Sequence, residues 1–115
     1  MNVYGYKNCD SCRKAMKWLE AHGHAFAFID ITLTPPTLAQ LRQALAAGYD
    51  LKDLFNKAGG QYRELNMKEK LPTLTQDQAL ELLTGNGYLV KRPIVIDGDQ
   101  VTVGFKEDVF EEAWG

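Results

Sequence analysis

This chain of 115 residues reads as one α/β domain, residues 1–115. Its elements run β-α-β, a helical insert over about 37–88, then β-β-α. Three features carry that reading. A helix pattern lies between two β-rich stretches near the start. Two Thr-x-x-Gln capping boxes head leucine-rich runs in the middle. A turn signal, Asp97-Gly98-Asp99, joins two β stretches near the end. At ~100–200 residues per domain there is room for one domain.

Met1 to Tyr6 is rich in β-favouring residues, with Val3, Tyr4 and Tyr6. Lys7 to Asp10 is a loop. A helix is expected from Asp10 to about His22, stopped by Gly23. Cys12, Met16 and Leu19 stand at i, i+4 and i+7, which puts Cys12 on the buried face. Ala25 to Ile31 reads as the second strand, and strand–helix–strand favours parallel pairing. Thr34-Pro35-Pro36 breaks the chain there.

Thr37 and Gln40 box the start of the next helix, which carries Leu38, Leu41 and Leu45 and ends at Gly48. Asp50 can cap a short helix with Leu51, Leu54 and Phe55. Ala58-Gly59-Gly60 is a loop, and Tyr62 to Lys70 fits no single template. Thr75 and Gln78 box a further helix, stopped at Gly85 and Gly87. Ile94 to Ile96 and Val101 to Gly104 form a hairpin, so the sheet is mixed and four-stranded. Lys106 to Trp114 closes as a helix, with Val109, Phe110 and Ala113 inward.

The charge balance excludes some functions. Thirteen basic against 15 acidic residues give a net charge of −2. That is no broad footprint for nucleic acid and no polybasic membrane element. No stretch of ~18 apolar residues spans a bilayer. Met1 to Lys7 lacks a charged segment followed by an apolar one, so the expected compartment is the cytoplasm. There thiols stay reduced. A chain of this size buries roughly two-thirds of its unfolded surface and needs no disulfide or metal staple.

The two cysteines, Cys9 and Cys12, are spaced C-x-x-C. So short a loop makes a poor staple, and the pair points to redox chemistry. Cys9 stands where the first helix begins, and unpaired backbone N–H groups there favour a thiolate. Lys7, Arg13 and Lys14 add positive charge nearby. Cys12, one turn on, can attack a mixed disulfide formed on Cys9. No metal site is expected, because His22 and His24 are spaced H-x-H and lack further ligands. Trp18 and Trp114 read as packing, and His22 and His24 as helix-end and surface residues. Arg92, ahead of Pro93, can clamp an oxyanion or carboxylate through two hydrogen bonds. Asn56-Lys57 and Tyr62-Arg63 flank the glycine loop and can add donors to the same pocket.

Tyr4-Gly-Tyr-Lys-Asn-Cys9-Asp-Ser-Cys12-Arg13-Lys14, Tyr62-Arg-Glu-Leu-Asn66 and Lys91-Arg92-Pro93-Ile94 together resemble the arsenate reductase-like (ArsC/Spx) family. The resemblance runs through nearly the whole chain and is closest to the YffB-type branch. It implies a thioredoxin-like fold with a helical insertion and a cis bond at Arg92-Pro93. It implies a thiol-dependent reductase in which Cys9 takes the nucleophile's place. Cys12 is then the resolving thiol, and Arg92 completes the catalytic set. Lys7, Asn8, Arg13, Asn56, Arg63 and Pro93 would bind substrate. No cofactor is held. Glutathione is the implied co-substrate, or another small thiol or disulfide, with glutaredoxin a further implied partner. The arsenate reductases of the family surround the nucleophile with three arginines. Here only Arg92 matches, the other two positions falling at about Asn56, beside Lys57, and near Phe105, beside Lys106. The Spx branch carries the same C-x-x-C. It implies instead a redox-sensing regulator that binds the C-terminal domain of the RNA polymerase α-subunit.

Overall fold

Alternate residues of a strand face opposite sides of a sheet, and this chain uses both sides. The computed structural model describes all 115 residues. Its elements are β1 (Asn2–Gly5), α1 (Asp10–Ala21), β2 (Ala27–Asp30), α2 (Leu38–Ala46), α3 (Gly60–Glu64), α4 (Met67–Lys70), α5 (Gln76–Gly85), β3 (Ile94–Asp97), β4 (Gln100–Val103) and α6 (Glu107–Trp114). Short 3-10 turns lie at Leu51–Leu54, Leu71–Thr73 and Gly87–Leu89. The four strands form one sheet in the order β2-β1-β3-β4. β1 and β2 are parallel, and the other two pairings are antiparallel. The sheet is mixed, as the β-α-β unit and the hairpin require.

Val3 of β1 is in register with Val95 of β3. Both are fully buried against Ala15, Trp18 and Leu19 of α1 and Phe110 and Trp114 of α6. The next pair, Tyr4 and Ile94, faces the other way. It joins a larger core with Leu41 and Ala44 of α2 and Leu80 and Leu83 of α5. One side of the sheet is thus covered by α1 and α6, the other by the insertion. Thr102 is a buried polar residue of β4, and its hydroxyl accepts a bond from the Trp114 indole at 3.2 Å.

Both capping boxes form. Thr37 and Thr75 each accept from the N–H three residues on, and Gln40 and Gln78 reach back. Such a cap contributes about 1 kcal/mol. Two stretches depart from the sequence reading. The second strand covers only Ala27–Asp30 of the expected Ala25 to Ile31, and at its end the Asp30 carboxylate accepts from both the Thr32 N–H and hydroxyl and turns the chain. It is also an edge strand, with Phe28 41% exposed. Tyr62 to Lys70, which fits no single template in sequence, is two short helices split at Asn66, where φ is 54°. That left-handed residue breaks the periodicity between them. No helix is long and apolar enough to cross a membrane.

Candidate active site

Cys9 is the N-cap of α1, with an extended backbone at φ −112° and ψ 119°. Its own N–H donates to the Tyr6 carbonyl, and its carbonyl accepts from Arg13 N–H. The sulfur is half-buried. Cys12 lies one turn further along α1 and is fully buried. Gly5 makes that burial possible, since a Cβ there would sit 3.0 Å from the Cys12 sulfur. The Tyr6 N–H points at the same sulfur at 3.5 Å.

The two thiols are driven in opposite directions. At Cys9 partial burial alone pushes the thiol up. It is outweighed by bonds from the Cys12 thiol and Cys12 N–H and by the Arg92 guanidinium, so Cys9 is held below its ordinary value. At Cys12 burial is again the largest influence, and the adjoining Cys9 sulfur adds to it. The Cys12 thiol is pushed up to about 12. One sulfur is therefore biased toward the thiolate and its neighbour toward the protonated thiol.

Arg92 approaches from the segment ahead of β3. Its guanidinium carbon lies 5.3 Å from the centre of the Tyr6 ring. Tyr6 in turn meets Tyr88 edge-on, with centroids 6.4 Å apart. Arg92 Nη1 is buried and has no protein partner. A buried charged donor without an acceptor is costly, so this nitrogen is ready to receive an acceptor from a ligand. The Arg92 peptide makes no backbone hydrogen bond. The Arg92-Pro93 bond is cis, as the family resemblance implies.

The other sequence candidates fall in several places. Lys7 and Asn8 are exposed in the loop before Cys9. The sequence reading has Arg13 adding positive charge at the sulfur, but its guanidinium instead pairs with Asp10 and the Lys7 carbonyl. The cation acting on Cys9 is Arg92. Asn56 donates its N–H to the Leu89 carbonyl at 2.7 Å. Arg63 is exposed on α3. Pro93 is buried, and its carbonyl accepts from Gly104 N–H. Phe105 packs on Phe110, with ring centroids 4.8 Å apart. His22 stacks on Trp18, and His24 bonds the Trp114 carbonyl. Sequence reasoning misses Tyr6 and Tyr88 as site residues. The available signal is Tyr88 itself, an aromatic that follows the polar, glycine-rich run Gly85-Asn86-Gly87.

Residues 4–113 match the model of the ArsC family. The YusI protein of Bacillus subtilis is 50% identical, over 99% of this chain and 98% of its own. The global transcriptional regulator Spx of Listeria innocua is 32% identical, over 94% of this chain and 82% of its own. An ArsC family related protein from Bacteroides fragilis superposes with a TM-score of 0.89, at 36% identity and 97% coverage of both chains. A YffB structure superposes at 0.82, with 32% identity over 99% of this chain and 98% of its own. With its fold, its C-x-x-C helix start and its Arg92-Pro93 segment in their places, this chain belongs to the ArsC family.

Proposed function

We propose that the protein is a thiol-dependent oxidoreductase, with Cys9 as nucleophile and Cys12 as resolving thiol. The observation that carries this reading is the asymmetry of the pair: Cys9 stands half-buried as the N-cap of α1, where its pKa is lowered, and Cys12 is sealed one turn behind it, where its pKa is raised. The Cys9 thiolate attacks one sulfur of a substrate disulfide. A Cys9–substrate disulfide forms, and the other half leaves as a thiolate that takes a proton from water. Cys12 then loses its proton and attacks the Cys9 sulfur, releasing the second half as a thiol. Two glutathione molecules reduce the resulting Cys9–Cys12 disulfide and leave as glutathione disulfide. The buried Nη1 of Arg92 takes a carboxylate of the bound thiol, and the free Arg92 peptide pairs with its backbone.

Arsenate reduction is less well supported. Arg92 is one guanidinium where the family's arsenate reductases use three, and Phe105 is committed to packing. The Spx relatives favour a second reading, a redox-sensing regulator that binds the C-terminal domain of the RNA polymerase α-subunit. There the same dithiol switches conformation without turnover.

Intact mass after brief exposure to glutathione disulfide tests the assignment. Wild type is expected to lose two hydrogens and carry no adduct. Cys12→Ser is expected to trap one glutathione, on Cys9. An adduct on wild type and none on Cys12→Ser overturns the roles. Binding to that polymerase domain with no glutathione-linked turnover would favour the regulator.

A further inference from the structure

Lys91 and Arg92 adjoin in sequence and serve different places. Arg92 lies over Tyr6 at the thiol site. Lys91 lines a cavity of about 450 Å³, with its Cε 3.4 Å from where a Gly104 Cβ would sit. The division repeats twice. Phe105 packs on Phe110, while Lys106 lines the cavity. Asn56 bonds the Leu89 carbonyl, while Lys57 lines the cavity. Lys52, from the turn at Leu51–Leu54, is the fourth lysine.

Four lysines against the single carboxylate of Asp53 leave +3 around this cavity, so with a net charge of −2 the rest of the chain carries −5. None of the four is within ion-pair distance of a carboxylate, because the three salt bridges lie elsewhere. Four like charges around one hollow repel, and an anion relieves that repulsion. The lysines come from separate segments and approach as point charges, each with three rotatable donors. That suits a phosphate group, whose oxygens point in several directions, better than a flat carboxylate matched to an arginine fork. Phe55 and Val109 supply apolar lining. The volume is within the range of small-molecule sites.

We propose that this cavity binds a phosphorylated organic molecule of about nucleotide size, its phosphates among Lys52, Lys57, Lys91 and Lys106. The cavity is not lined by Cys9, Cys12, Arg92, Tyr6 or Tyr88, and the proposal stands whether or not the thiol reading holds.

Calorimetric titration of the full chain with ADP, pyrophosphate, succinate and adenosine tests it. ADP and pyrophosphate are expected to bind, and succinate and adenosine to give no heat. Lys91→Gln with Lys106→Gln should weaken ADP about tenfold. Lys52→Gln with Lys57→Gln provides a second pair on the same cavity. Lys17→Gln with Lys68→Gln, away from it, should leave ADP binding unchanged. Cys9→Ser should bind ADP like wild type. No heat with millimolar ADP overturns the proposal. So does an equal loss in the Lys17/Lys68 pair, or succinate binding as tightly as pyrophosphate.

Discussion

The mouth and the floor of the thiol site sit on one helix turn and treat the same side chain in opposite ways. At the mouth, Cys9 is half-buried, and the Cys12 thiol and N–H and the Arg92 guanidinium favour its thiolate. On the floor, Cys12 is sealed and has the Cys9 sulfur as its neighbour. Burial raises both thiols, so burial alone does not set the outcome. What differs is the balance of neighbours: Cys12 and Arg92 together favour the Cys9 thiolate, whereas at Cys12 the single Tyr6 N–H is outweighed by burial and the Cys9 sulfur. The difference also orders events in time. Once Cys9 is in a mixed disulfide its negative charge is gone, and that part of the force holding the Cys12 proton goes with it.

The largest test acts on the floor. An unfolded chain ionises Cys12 from about its ordinary value of 9.0, whereas the folded one holds the proton to about 12. Between those limits the unfolded state binds fewer protons, so stability falls as pH rises, by ~1.4 kcal/mol per pH unit. Urea unfolding of wild type and Cys12→Ala between about pH 9.5 and 11 should show this slope in wild type only. Parallel slopes would mean the floor is not sealed. A smaller effect comes from filling the space beneath Cys12. A Gly5→Ala methyl would lie 3.0 Å from the Cys12 sulfur and 3.3 Å from the Phe28 ring. The expected cost is about 1–3 kcal/mol of stability, read as a lower urea midpoint. An unchanged midpoint would show that the floor yields freely. The smallest acts on the mouth. Arg92→Gln removes the cation beside Cys9, so alkylation at pH 7 should slow about tenfold and its pH profile move upward. Lys91→Gln, one residue away and facing the other cavity, should leave both unchanged. If the two variants behave alike, Arg92 acts through general charge and not through its position over Tyr6.

Much of the frame is legible in the sequence because it obeys local rules. The capping boxes at Thr37 and Thr75, the hairpin at Asp97-Gly98-Asp99 and the helix start at Cys9 each depend on residues a few positions apart. The inward turn of Cys12 follows from its spacing to Leu19. Other features depend on facts a periodicity does not hold. Asn66 splits a helical stretch through one backbone angle, and the Asp30–Thr32 bonds turn the chain where a strand ends. Arg13 is misplaced when charge is counted by distance along the chain, because Asp10 takes its guanidinium first. Tyr88 reaches Tyr6 only through the path of the insertion, which no short window shows.

That path is pinned by Gly87. A Cβ there would fall 1.8 Å from the Ile31 carbonyl oxygen, so only a hydrogen fits where the insertion crosses the end of β2. The crossing delivers the next residue, Tyr88, beside Tyr6. The sulfurs and Tyr6 therefore belong to the β-α-β unit, and Tyr88 to the helical insertion. A change in the insertion can therefore reshape the rim of the site while leaving both sulfurs where α1 holds them.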